Sequence, residues 1–170
     1  AEYLGKKYDV KLDCITISKK QFEYAKKRIY RCGLNEKVNI QIKDYRDLKD
    51  KYNSIASREM IEAVGQNYLE GYFKTIKNNL SSDGSAAIQA ITIDDNLFDR
   101  YKYKQDFIQK YIFPGGFLPN KGSIDKYVSN NGLTIKSYDV AGRTKVYEAL
   151  IRGCLLYTSP SPRDFLHLVC

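Results

Sequence analysis

The chain has no tryptophan, one methionine, one histidine and four prolines among 170 residues. A lone imidazole, His167, and four cysteines (Cys14, Cys32, Cys154, Cys170) without a C-x-x-C pair lack the spacing that a zinc site or a Cys/His nucleophile needs. No metal is expected. The scattered cysteines read as reduced, packed side chains of a cytosolic protein. No apolar run approaches the roughly 18 residues that span a bilayer. The opening AEYLGKKYDV carries charges where a secretion signal would have an apolar core. A cytoplasmic domain is therefore expected.

What is present is ordinary globular material, 43% hydrophobic and 28% charged, which excludes bulk disorder. One domain of this length buries roughly 70% of its unfolded surface, enough for a core without staples. The 28 Lys and Arg against 20 Asp and Glu give a formal net charge of +8. That balance suits an anionic partner, nucleic acid or a membrane surface. The lysines stand singly among acids, however, as on a solvated face.

Alternation and β-branching mark YDVKLDCITIS (8–18) as a buried strand, with Val10, Leu12, Cys14, Ile15 and Ile17 as its apolar set. Ser18 then caps a predicted helix carrying Phe22, Ala25 and Ile29, and Gly33 stops it. VNIQI is a second strand, with Val38, Ile40 and Ile42 on one face and Asp44 just past its end. YRDLKDKY is a short helix or turn before the strand NSIASREM. After Gly65 comes a helix with Tyr68, Leu69, Tyr72, Phe73, Ile76 and Leu80 at three- and four-residue intervals, then a turn SSDG and the strand SAAIQAITI. Residues 94–131 break the rhythm with a helix, an apolar Pro/Gly loop and a second helix opening near Ser123. LTIKSYDVA and KVYEALI read as late strands.

Strands alternating with helices predict an open, largely parallel α/β sheet. Such sheets bind ligands at the carboxyl ends of their strands. The rule nominates Thr16 to Gln21, Asp44 to Arg46, Glu59 to Gly65 and Gln89 to Thr92. Thr16, Ser18 and Gln21 offer hydroxyls and an amide suited to a ribose diol, or simply a helix cap with a surface glutamine. Asp44 and Tyr45 suit an adenine amino group and ring face, or a turn acid beside a core-edge tyrosine. Glu59 and Glu62 are either first-turn acids favoured by the helix dipole or an acid/base pair facing a cleft. Gln89, flanked by Ile88 and Ala90, needs a partner if buried. IFPGGFLP is a plain turn or the lining of a pocket for a lipid tail.

Taken together, ITISKKQ (15–21), KDYRDL (43–48), EMIEAVG (59–65), IQAITI (88–93) and YIFPGGFLP (111–119) resemble the cyclopropane-fatty-acyl-phospholipid synthase family of S-adenosylmethionine-dependent methyltransferases, in the family's order and spacing. The resemblance covers about residues 1–150. It implies a Rossmann-like methyltransferase sheet with flanking helices. It also implies methyl transfer to the cis double bond of an unsaturated acyl phospholipid at a membrane surface. The resulting carbocation then loses a proton, thought in this family to go to a bound bicarbonate, and closes to a cyclopropane. By resemblance Thr16, Ser18 and Gln21 match the cofactor-side turn, and Asp44 with Tyr45 the adenine edge. Glu62 matches the carboxylate that holds bicarbonate. Gln89 stands where many members have histidine, and Ile91 matches a backbone N–H donor. Such a site has to stabilise positive charge in a water-poor cleft. Tyr111, Phe113, Gly115 and Phe117 are expected to line it, with aromatic faces turned to the cation. Glutamine at 89 can clamp an anion but cannot titrate.

The chain also departs from the family pattern. The Gly-rich cofactor loop and its strand are missing, so a truncated sheet and an inactive fragment are expected. Residues 1–152 read as a partial methyltransferase domain. Tyr147 is the nearest match to a late tyrosine motif, with the wrong spacing from Gly142. CLLYTSPSPRDFLHLVC carries two of the four prolines, and LLYTSPSPRD resembles translated adapter read-through, so residues 153–170 are set aside as a non-native tail. Lipid access is expected to be peripheral, each near-surface Lys or Arg contributing on the order of 1 kcal/mol at anionic headgroups. Two other readings compete. One is a relative making methyl- or methylene-branched lipids, or N-methylating a small amine. The other is a non-catalytic basic module on nucleic acid, for which no RNP-like motif or basic helix speaks.

Overall fold

A computed structural model of the chain describes residues 1–103, 107–139 and 167–169. A short helix α1 (Glu2–Lys7) leads into strand β1 (Leu12–Thr16) and helix α2 (Lys19–Arg31). Ser18 caps α2, its hydroxyl accepting from the Gln21 backbone N–H at 3.3 Å. The buried stripe of α2 is Gln21, Ala25 and Ile29, each one turn from the next. Gln21 thus takes the inward place expected of Phe22, which is half-buried. Gly33, at φ +65°, turns the chain so that the Leu34 N–H reaches the Ile29 carbonyl at 3.2 Å and Leu34 folds back under the helix. Strand β2 (Val38–Ile42) pairs parallel with β1, Thr16 opposite Ile42. Leu12, Cys14, Ile29, Leu34 and Val38 form the small core between these elements.

Strand β3 (Tyr52–Arg58) is followed by helices α3 (Ile61–Val64) and α4 (Leu69–Asn79) and by strand β4 (Leu80–Gln89), which pairs parallel with β3. Leu69, Tyr72, Phe73 and Ile76 form the inward face of α4, and Ile61, Leu69 and Phe73 have no exposed surface. Each such side chain contributes roughly 1.5–3 kcal/mol by burial. Tyr68, expected on that face, is exposed. Ser81–Gly84 do not form a separate turn. They lie inside β4 as an irregularity, where the register jumps from Tyr52 opposite Leu80 to Ser54 opposite Ser85. Helix α5 (Asp95–Tyr101), a π-turn (Ile108–Ile112) and helix α6 (Lys121–Asn130) complete the main body. Asn120 caps α6 in a reciprocal box with Ser123. Residues 133–139 carry no strand, against expectation, and KVYEALI lies outside the described residues.

The truncated, largely parallel sheet expected is present among the described residues as two pieces, ordered β2-β1-β5 and β3-β4. Strand β5 (His167–Val169) pairs antiparallel with β1, Asp13 opposite Val169, and also lies against β3. Residues 167–169 are the described part of the stretch set aside as a tail.

Candidate active site

The chain leaves β3 through a tight acidic turn. Glu59 adopts φ +49°, Ile61 anchors α3 in the core, and Gly65 closes the turn at φ +81° and ψ 150°. This turn places the Glu62 carboxylate against the end of β4. Its Oε1 accepts the Ile91 N–H at 2.5 Å, and its Oε2 is buried with no hydrogen-bond partner among the described residues. Burial pushes the Glu62 carboxyl up, and the Glu59 charge adds to that, while the Ile91 N–H pulls the other way.

Gln89 is exposed and donates from Nε2 to Glu59 Oε1 at 3.3 Å; its backbone carbonyl accepts the Glu59 N–H at 2.8 Å. The Pro/Gly loop docks on the same turn. The Phe117 N–H donates to the Glu62 carbonyl at 2.9 Å, and the Gly116 N–H to the Phe113 carbonyl at 2.8 Å. The fold thus brings together Glu59, Glu62, Gln89, Ile91 and residues 113–117, separated by up to 58 positions in sequence.

Not every nominated residue occupies the place expected of it. The Ile91 N–H points at Glu62 and not at open cleft. Phe117 is 6% exposed, its ring 5.8 Å from both Phe98 and Tyr101, so it fills the core and does not line a wall. Tyr111 is 62% exposed and pairs with Phe107 at 5.0 Å, facing outward. Phe113 is half-buried and Gly115 exposed, at φ +81°. Tyr147 lies outside the described residues. A groove beside α6, lined by residues including Val128, Leu133, Ile135 and Tyr138, contains none of the nominated side chains.

At the ends of β1 and β2 the polar groups satisfy one another. Thr16 is buried and its hydroxyl donates to Gln21 Oε1 at 2.6 Å, so Thr16 orients the Gln21 amide. Asp44 accepts from the Arg46 backbone N–H at 2.9 Å and from its guanidinium at 2.7 and 2.9 Å, contacts that hold its carboxyl below the usual range. Tyr45 packs edge-on against Tyr72 at 5.9 Å, and burial raises its phenol. Ile17 and Ile42, 75% and 53% exposed, present apolar surface beside these groups. The alternation of the strands assigned both isoleucines to the core. The available signal was that Ile17 lies past the last paired residue of β1. Exposed isoleucines flanked by the Ser18 and Asp44 oxygens fit the nucleoside part of an adenine cofactor.

The match to known proteins now decides the family. A family described as mycolic acid cyclopropane synthetase matches residues 1–149. The chain belongs to that family. Its members are S-adenosylmethionine-dependent methyltransferases. The chain is 39% identical over 122 residues to the tuberculostearic acid methyltransferase UfaA1 of Mycobacterium tuberculosis, covering 71% of this chain and 29% of that protein. It is 36% identical over 123 residues to the cyclopropane-fatty-acyl-phospholipid synthase of Escherichia coli K12, again covering 71% of this chain and 29% of that protein. Thus it spans under a third of the length of these relatives. The mycolic acid cyclopropane synthase CmaA1, solved with SAH and CTAB, superposes with a TM-score of 0.68 at 23% identity, covering 78% of this chain and 50% of that one. That likeness shows the Rossmann-like methyltransferase fold.

Proposed function

We propose that the protein carrying this chain transfers a methyl group to the cis double bond of unsaturated acyl chains in phospholipids and closes the product to a cyclopropane. The observation that carries this reading is Glu62. It is a carboxyl raised by burial, fixed by the Ile91 N–H, with one oxygen unused, wedged between β4 and an apolar Pro/Gly loop. S-adenosylmethionine supplies the methyl group when bound, its nucleoside held at Ile17, Ser18, Gln21, Asp44 and Tyr45. A new carbon–carbon bond to an alkene leaves positive charge on the acyl chain, and ring closure then releases a proton from the added carbon. Glu62 and the Gln89 amide would hold the proton acceptor, which the family resemblance makes a bicarbonate ion. Phe113 and Gly115 keep water from the cation, which would otherwise be captured as an alcohol. Exposed Tyr103, Phe107 and Tyr111 with Lys102 and Lys110 beside them suit peripheral contact with anionic headgroups. Among the described residues no helix is long and apolar enough to cross a membrane.

A second reading, a methyl- or methylene-branched product, is favoured by the 39% identity to the tuberculostearic acid methyltransferase. One experiment tests both. The complete gene product is expressed in a bacterial host lacking its own cyclopropane synthase, and the phospholipids are analysed by mass spectrometry and proton NMR. A gain of one methylene with upfield ring protons, abolished by Glu62→Gln, supports cyclopropanation. The same mass gain with exomethylene signals, or a gain of one methylene and two further hydrogens with branch-methyl signals where a cellular hydride donor reduces the product, supports the second reading. Unmodified lipids from a folded, cofactor-binding protein refute both.

A further inference from the structure

The turn at the end of β3 carries a cost that its sequence could have avoided. Glu59 is the one non-glycine residue with positive φ among the described residues, whereas Gly33, Gly65, Gly115 and Gly132 serve that conformation elsewhere. A left-handed residue with a Cβ crowds its following carbonyl, and Glu, unlike Asn or Asp, gains no local side-chain bond in return. Such outliers persist where the surroundings over-determine them, often at functional sites.

The Glu59 side chain is not idle. Its Oε1 accepts from Gln89 Nε2 at 3.3 Å while its N–H donates to the Gln89 carbonyl at 2.8 Å, so two contacts tie the end of β3 to the end of β4. A carboxylate only accepts. It therefore selects one of the two flips of the Gln89 amide, Nε2 toward Glu59 and Oε1 away from it. Gln89 is exposed, and without that acceptor water would let the amide rotate. Glu62 follows within one turn, so the same left-handed residue sets the direction in which the chain enters α3.

We propose that Glu59 is a positioning residue of the methyl-transfer site, fixing the Gln89 amide through its carboxylate, and that the strain at its backbone is carried for that contact. This rests on the functional reading above for its consequence in catalysis, but not for its geometry.

The test compares the complete wild-type gene product with Glu59→Gly and Glu59→Gln. Glycine relieves the backbone and removes the acceptor; glutamine keeps the backbone conformation and an accepting oxygen. Under the proposal Glu59→Gly unfolds at the same or a higher urea concentration than wild type, yet transfers methyl groups about 10-fold more slowly, the size of one lost hydrogen bond to a charged group. Glu59→Gln recovers most of the rate. The Gln89 side-chain amide is followed by nitrogen-15 NMR and assigned by its loss in Gln89→Leu. It moves to the position of a free glutamine in Glu59→Gly and stays near its wild-type position in Glu59→Gln. Full transfer by Glu59→Gly, a glutamine variant as slow as the glycine one, or an unmoved Gln89 signal each overturns the proposal. If the wild type methylates no lipid, the functional reading fails, and the NMR and unfolding measurements still decide whether Glu59 orients Gln89.

Discussion

Two glycines with the same φ, one crowded and one open, allow the docking of the Pro/Gly loop on the acidic turn to be measured. Gly65 and Gly115 both sit at φ +81°. A Cβ on Gly65 would lie 3.2 Å from the Gly115 carbonyl oxygen, whereas a Cβ on Gly115 meets nothing within 4 Å. Gly65→Ala therefore incurs the backbone strain, about 1–3 kcal/mol at its ψ of 150°. It also pushes on backbone that cannot swing aside, for about 1 kcal/mol more. Gly115→Ala incurs only the left-handed strain, about 1–2 kcal/mol. Urea unfolding followed by circular dichroism reads the difference. With a slope of about 1–3 kcal/mol per molar, Gly65→Ala should unfold roughly 0.3–1 M earlier than Gly115→Ala at unchanged slope. Gly115→Asn, tolerated in the left-handed region, should recover part of the loss. Equal midpoints for the two alanine variants, or a lower one for Gly115→Ala, would refute the claim that loop and turn are in close contact.

Other expectations follow from the same geometry. Glu62 has its folded-state carboxyl raised above the ordinary 4.5 by burial, so the native chain keeps this proton to higher pH than the unfolded chain. Stability should therefore fall as pH rises through that window and then level off. Glu62→Gln should flatten this part of the stability–pH curve, and a curve unchanged by the substitution would contradict a buried Glu62. Phe117→Ala, at a buried ring, should cost about 3–5 kcal/mol in urea unfolding. Tyr111→Ala, at an exposed one, should stay within about 0.5 kcal/mol while weakening flotation with anionic vesicles. Ser18→Ala should cost about 1 kcal/mol through loss of the α2 cap, measured the same way.

The elements legible in advance were those whose signals are local. Ser18 and Gly33 bracket α2, the three- and four-residue spacing from Leu69 to Ile76 gives α4, and the alternation of residues 12–16 gives β1. What stayed hidden depends on neighbours far along the chain. Whether Ser81–Gly84 forms a turn or a strand irregularity is settled by the pairing partner in β3, which a window of β4 cannot contain. Phe117 carries the same apolar pattern whether it faces a cavity or the core. Its rings of contact, Phe98 and Tyr101, come from α5 across an irregular stretch. The orientation of the Ile91 N–H was likewise unreadable, because the acceptor lies 29 residues away.

The candidate site also shows why its strand-end residues looked ambiguous. Thr16, Gln21 and Asp44 are polar side chains at ligand-facing ends, yet each is engaged within the protein. A hydroxyl that donates to a neighbouring amide oxygen has committed its O–H to that contact and has fixed the amide's direction. Thr16 thus sets the direction of the Gln21 amide. The acidic turn repeats this logic: Glu59 directs Gln89, and Ile91 directs Glu62. In both places a first residue uses up its own hydrogen-bonding capacity to orient a second. Loss of the first should therefore lower the rate while leaving the second in place but free to rotate. Replacing Thr16 by Val, which preserves its volume but removes both its donor to Gln21 and its acceptor of the Ser18 N–H, should loosen cofactor binding by about 10-fold or more, since two hydrogen bonds are at stake. Calorimetric titration of the complete gene product with S-adenosylhomocysteine measures this. An affinity equal to that of wild type would show that Gln21 needs no such support.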